Sequence, residues 1–520
     1  VTSSDASGIS EIKIYLDQTP LDGISNYINI ATCSNTQTCS STSLYSQGTY
    51  NYYATAKDTL GNVATDPTSG TKSFTVSAPV CTPGSVQSGT TCNVCNTQGT
   101  GYTQDNSKCS SGQTCNTAGQ CVISTPSNLW VSAYLTSWDF NVPGTSANWG
   151  SYTADEIDWD AFTHLIFFAT GLNADGTCCN VGGSGANWQD IRLRTIVAAA
   201  HAHGKPVLFS VGGSTSAAHA TILPNAALRT TSINSLVNFM NLYKFDGIDL
   251  DFEGGSGWGQ YLPVYTQELR AKLNQQNAYY DTSKKPLIAV AINGNYNYRA
   301  QSAQYIDQIN MMSYDLMGTW HGELWHNNAA ENVKNADGTC ATIDKAEGNA
   351  NSCLATIETR MNAALSAGIP RNKLGGGIDF NGYLWQGGVR QDGTNGVFNP
   401  RERWSTAPTG RSVNANCGIG GYVESRYYNL YKCYISLYPS NIKWDSLSST
   451  SYMSFDNAGT TNDLFITYQD AASVRNAVKM IKKNNLGGMI LWEIGGGYLP
   501  SSYPNRDELL QAVKQEVNSL

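Results

Sequence analysis

Between Asp246 and Glu253 the chain reads Asp-Gly-Ile-Asp-Leu-Asp-Phe-Glu, with apolar and acidic side chains in alternation. A period of two is that of a β-strand. Ile248, Leu250 and Phe252 point one way; Asp249, Asp251 and Glu253 point the other. Neighbours on one strand face lie roughly 7 Å apart, so three carboxyl groups line up on one side. A solvated sheet face would account for such a row, but the surroundings argue against it. Residues 260–276 carry a helical pattern, and a strand-then-helix rhythm runs before and after them. Strands are predicted at 130–136, 164–169, 206–211, 246–252, 286–292, 306–313, 374–380 and 488–492, with helices at 226–242, 354–367 and 471–483 among others. This alternation builds a parallel sheet covered on both faces. Eight such units predict a closed (β/α)8 TIM barrel. An open doubly wound sheet is the alternative, but no glycine-rich dinucleotide fingerprint follows the first strand. Inside a barrel the carboxyls are enclosed. They repel one another and resist losing water, so at least one is expected to stay protonated near neutral pH. Asp246 has the opposite parity and reads as structural.

Two intervals break the rhythm. Residues 318–352 follow the sixth strand and carry Cys340, with Cys353 at the edge. Residues 385–470 follow the seventh and carry Cys417 and Cys433. An unstructured loop of the second length would be unusual, so a small α+β insertion domain is expected at about 385–470. Both intervals leave from the C-terminal ends of strands and should wall a cleft.

Ahead of the barrel, expected at 127–520, residues 1–79 read as β. Segments 11–17 and 49–58 alternate, 58–62 is a turn and 71–78 a closing strand. The pattern resembles bacterial immunoglobulin-like or fibronectin-like modules and predicts a β-sandwich. Tyr50, Tyr52 and Tyr53 are either sugar-stacking rings or, the commoner case, core and corner residues. Cys33 and Cys39 are expected to bridge a loop. Residues 80–122 hold six cysteines (Cys81, Cys92, Cys95, Cys109, Cys115 and Cys121) and almost nothing apolar. Disulfides must hold such a stretch together, which predicts a stapled spacer. Zinc on Cys92 and Cys95 is the weaker reading, because no His is near and the other spacings are irregular.

Composition narrows the function. At 520 residues more than one domain is expected. The net charge is -8 and basic residues are scattered, which speaks against a nucleic-acid partner. No apolar run reaches the length of a membrane span. The chain opens at Val1 without a charged-then-apolar leader, so any signal peptide is expected to be already absent. An even count of 14 cysteines, bunched, points outside the cell. Few charges among many Gly, Ser, Thr, Asn and Tyr suit a secreted, monomeric protein that handles a neutral polymer. Cys178 and Cys179 are adjacent and are either unpaired or a vicinal disulfide. His201 and His203 do not share a helical face, and His164 packs at the second strand; no metal and no cofactor are expected.

Glu253 lies nearest the barrel mouth, with Asp251 and Asp249 successively deeper. Burial and like charges would raise its pKa, as a general acid requires. No second acid stands out across the cleft as a nucleophile, which suggests that the substrate supplies its own. Here a resemblance becomes specific. Asp246 to Glu253 matches the D-x-x-D-x-D-x-E signature of glycoside hydrolase family 18, the chitinase family. Phe209 to Ser214 (FSVGGS) resembles its S-x-G-G motif, Met311 to Asp315 (MMSYD) its M-x-Y-D motif, and Gly487 to Glu493 (GGMILWE) its eighth strand. The likeness covers about residues 128–520.

The resemblance implies chitin or chitooligosaccharide as partner, and roles for named residues. Glu253 would protonate the glycosidic oxygen and then activate water. Asp251 would hold the N-acetyl group as its carbonyl oxygen attacks the anomeric carbon, Asp249 would share a proton with Asp251, and Tyr314 would hydrogen-bond the attacking group. Asp315 would support the sugar and Trp492 would be its floor. Tyr134, Trp138, Met312, Trp320, Phe380 and Trp385 are further candidates for substrate contact, Trp320 foremost, and Trp258 and Trp325 are candidate stacking rings. Phe252 stands where many members have Trp or Tyr. Near the seventh strand Asn381 replaces a tyrosine and Tyr383 an arginine, so a charged sugar contact is in question. Rival readings are an endo-β-N-acetylglucosaminidase acting on N-glycans, a lectin that binds chitooligosaccharide without cutting, and an adhesive surface protein. The retained Glu253 counts against the lectin.

Overall fold

The structure is a computed structural model. It describes all residues apart from 1, 3–5, 18–26, 42–47, 77–79, 97–100, 106–107, 109–112, 116–118, 124–128, 144–151, 180–189, 215–216, 254–256, 319–321, 335–341, 344–351, 422–423, 458–461, 500–501 and 520. Cys109, Cys340 and Trp320 therefore lie outside the described residues. The chain divides into two compact units, Val1–Ile123 and Ser124–Leu520.

In the second unit eight parallel strands close into a barrel. They are β1 (Trp130–Thr136), β2 (His164–Thr170), β3 (Val207–Gly212), β4 (Gly247–Asp251), β5 (Leu287–Ile292), β6 (Gln308–Met311), β7 (Leu374–Asp379) and β8 (Gly488–Trp492). β8 pairs with β1 and shuts the ring. Helices such as Ala226–Tyr243 and Ala471–Lys483 cover the outside. Parity decides what each strand residue meets. Ile248 and Leu250 pack outward into the main apolar core under the helices. Asp249 turns inward, where Tyr134 and Ser210 hydroxyls donate to it. Asp246 is fully buried and structural: it accepts from the backbone of Val207, Tyr279 and Tyr280 and pairs with His201.

After β7 the chain enters a six-stranded sheet, beginning with Asn381–Gln386 and ending with Leu464–Tyr468. This insertion is held by the Cys417–Cys433 disulfide. The segment after β6 locks onto it. Met317, Leu324 and Trp325 share a core with Tyr383, Trp385, Tyr452 and Phe465. His326 hydrogen-bonds Asp445 at 2.9 Å, and Arg401 makes two hydrogen bonds to the same carboxylate.

In the first unit five antiparallel strands form one sheet, with Gly48–Asp58 pairing Ile9–Asp17, Val63–Asp66 and Lys72–Val76. The described residues of 1–79 form no second sheet, which a sandwich needs; the two further sheets of this unit are two-stranded and lie beyond that stretch, Asn93–Cys95 with Tyr102–Gln104 and Gln113–Cys115 with Cys121–Ile123. Tyr50 is buried and stacks on Phe74; Tyr52 and Tyr53 are half-buried. Cys33–Cys39 is bridged as expected. Cys81–Cys95 is bridged and Cys92 is disulfide-bonded, so neither thiol of the C-x-x-C is left for zinc. Cys178 and Cys179 form a vicinal disulfide, which settles the open alternative. Such bridges fit an oxidising compartment. No described helix is long and apolar enough to cross a membrane.

Candidate active site

The acidic row ends at the C-terminal mouth of the barrel. Asp251 is the last residue of β4, and Glu253 follows just beyond the strand rather than on it. Gly212 and Gly213, at the end of β3, let this corner close. Gly212 has φ +129°, and a Cβ there would collide with the Asp251 carbonyl oxygen. The Gly213 amide donates to that oxygen at 2.8 Å. Such a conformation and approach suit only glycine.

A cleft of about 230 Å3 opens here. Asp251, Glu253, Tyr314, Asp315 and Trp492 line it, together with Tyr134, Trp138 and Met312. Asp249 lies fully buried beneath, receiving Tyr134 and Ser210 hydroxyls at 2.8 Å each. The Trp492 ring meets Tyr134 and Phe168 edge-on, at 5.5 and 4.8 Å between centroids. Asn293 donates to Glu253 at 3.4 Å.

Burial dominates the electrostatics. It pushes Asp249 up to about 6, against the two hydrogen bonds it accepts. Burial, then the charges of Glu253 and Asp249, push Asp251 well above the usual carboxylate range. Burial and the charge of Asp315 raise Glu253. Burial and nearby carboxyls raise the Tyr314 phenol as well, so it stays a donor. Arg299, 1% exposed, carries positive charge close to Asp251 and Asp249; burial lowers it only to about 10.

Some candidates fall elsewhere. Phe380 continues β7 with outward parity and packs against Gly497 in the main core. Trp385 is fully buried between the insertion sheet and the segment after β6, so it has no face free for a sugar. Trp325 shares that core, and Trp258 is buried against His219 with Arg299 over its ring. Other contributors were not anticipated. Glu424, from the insertion, lines the cleft and accepts from Trp492 Nε1 at 3.3 Å. Phe168 and Ser214 line it too. Tyr383, standing where an arginine was expected, donates to Asp315 at 2.6 Å. Ser210 lies inside the FSVGGS stretch and its parity could have revealed it. Arg299 and Glu424 lie in no motif, and no sequence signal marks them.

The family model for glycosyl hydrolases family 18 matches residues 131–497. The chain belongs to glycosyl hydrolase family 18. Relatives of this family 18 hydrolase include chitinase A1 of Niallia circulans, 30% identical over 306 residues, 56% of this chain and 40% of that protein. The chain thus spans less than half of that relative's length. A chitinase-like effector of Moniliophthora perniciosa is 24% identical over 412 residues, 72% of this chain and 86% of that protein. The crystal structure of Ostrinia furnacalis Group IV chitinase in complex with allosamidin aligns with a TM-score of 0.57 at 20% identity, covering 74% of this chain and 98% of that one. That likeness speaks for the shared barrel fold.

Proposed function

We propose that this family 18 hydrolase is a secreted chitinase that cleaves β-1,4-linked N-acetylglucosamine polymers with retention of configuration. The observation that carries the reading is the meeting of Glu253, Asp251, Tyr314 and Trp492 in one cleft. Glu253, its pKa raised by burial and the charge of Asp315, gives its proton to the leaving oxygen. Asp251 and the Tyr314 hydroxyl grip the N-acetyl group of the reacting sugar. Its carbonyl oxygen attacks the anomeric carbon, displaces the leaving sugar and forms an oxazolinium ion. Glu253, now a carboxylate, takes a proton from water, which opens that ion and restores the acetamido group. Arg299 offsets the charge of Asp251, and Asp249, its own carboxyl pushed up to about 6, shares a proton with Asp251. Trp492 lies beneath the reacting sugar, Trp138, Tyr134 and Met312 bound it, and Asp315 orients it.

A second reading is a protein that binds chitooligosaccharide without cutting it; the Moniliophthora relative is named only as chitinase-like. Glu253, lining the cleft with its pKa raised, favours hydrolysis. Release of chromophore from a chitobioside separates the two. The wild type is expected to turn over, and Glu253→Gln to lose roughly 10²–10⁴-fold in kcat while still binding. Retained turnover removes Glu253 from the role of acid. The same proposal takes residues 1–79 as an immunoglobulin-like module and 80–122 as a stapled spacer beside a monomeric enzyme.

A further inference from the structure

Directly after β5 the chain reads Asn-Gly-Asn-Tyr-Asn-Tyr from Asn293 to Tyr298. The catalytic acid uses only the first of these, Asn293, which donates to Glu253 at 3.4 Å. The last four line a second hollow. It is an open groove of about 510 Å3 between the helices Tyr296–Ser302 and Ile357–Ser366, and it shares no residue with the cleft. Pockets that hold small molecules run roughly 300–1,000 Å3. The lining has one chemistry. Asn295, Asn297, Tyr296, Tyr298 and Ser366 supply amides, phenols and a hydroxyl, and no lining residue is charged. None of these five side chains makes a hydrogen bond or a ring contact with another described residue. Tyr298 is 36% exposed. Its ring rests against Gly259, where a Cβ would meet it at 2.9 Å. Bare backbone thus backs the ring, and its exposed part lines the groove.

This lining selects its occupant. An ion would find no counter-charge. An apolar ligand would take water from the amides and return no hydrogen bonds. Asn, Tyr and Ser side chains each donate and accept, and a tyrosine joins an apolar ring to a polar tip. The matching ligand is uncharged, donates and accepts, and has apolar faces, as a sugar does. We infer that the groove is a second saccharide site, which holds an uncharged N-acetylglucosamine chain outside the cleft. The choice of sugar rests on the proposed chitinolytic function. Groove and catalytic acid are joined by the short run that begins at Asn293, so a chain seated in the groove is kept beside the place where it is cut.

The test is calorimetric titration of the full-length Glu253→Gln variant, which leaves its ligand uncut, with the N-acetylated trimer chitotriose. Two sites are expected. Adding Tyr298→Ala should weaken one of them about tenfold and leave the other unchanged. Adding Ala363→Arg instead keeps every polar partner and fills the groove from an exposed position on its second helix; it should remove the same site. Because the groove carries no charge, that site should keep its affinity as ionic strength rises. A single site that survives both substitutions overturns the inference, as does a second site that salt weakens. A single site lost with Tyr298→Ala upholds the groove and counts against the chitinase reading instead, since the cleft then takes no sugar. If Tyr298→Ala does not fold, as read by near-ultraviolet circular dichroism, Ala363→Arg decides.

Discussion

The pKa of Glu253 is raised by what surrounds it. Burial acts first and the negative charge of Asp315 second. The sign of a test follows. Asp315→Asn removes a charge that raises the Glu253 pKa, so that pKa falls. The acid form is then lost at lower pH, and the alkaline limb of the kcat/KM profile moves to lower pH. A pH–rate profile of wild type and variant on one soluble chitobioside checks the direction. At this scale the sequence was legible wherever strand parity governs. Asp249 and Asp251 point inward because Ile248 and Leu250 point out. It was illegible where partners arrive from distant chain. Glu424 reaches the cleft from the insertion, Arg299 comes close to Asp249 and Asp251 from the helix Tyr296–Ser302, and neither carries a local pattern. Ring chemistry misled as well. Trp385 and Trp492 look alike in sequence, yet one fills a core and the other walls the cleft.

Among elements, the joint between β3 and β4 depends on one backbone shape. Gly212→Ala forces a side chain into the left-handed region and onto the Asp251 carbonyl. The cost is expected to be on the order of 2 kcal/mol, together with lost activity, because Asp251 must shift. Denaturant unfolding and kcat measure the two effects. The segment after β6 hangs on a second joint. Burial alone would push Asp445 up, yet hydrogen bonds from His326 and Arg401 hold it well below the usual range. Its contribution is therefore fully present above the unfolded carboxyl value, about 3.9, and is lost as pH falls toward the lower folded value. Asp445→Ala leaves Arg401 and the buried His326 without that partner and is expected to cost about 3 kcal/mol, read as a lower denaturation midpoint above pH 5. Nothing in the run Gly377 to Trp385 announces this architecture. Its alternation continues unbroken while the chain passes from barrel to inserted sheet.

For the molecule as a whole, the repeated strand–helix spacing was enough to foresee the barrel, because eight parallel strands with covered faces leave few other closures. The N-terminal unit was less legible: alternation reveals strands but not how many sheets they join. Every residue given a chemical role lies in the unit Ser124–Leu520. A fragment of residues 124–520 is therefore expected to match the full chain on a soluble chitobioside to within about twofold in kcat/KM. A larger loss would assign the first unit a part in turnover.

The inserted sheet begins two residues after β7 ends and returns to the helix Ala471–Lys483 that leads into β8, and a shared core and the grip on Asp445 rivet it to the segment after β6. A rampart anchored in this way does not swing. In the proposed chitinase, adjustment during substrate binding is then expected of the sugar chain and not of this wall.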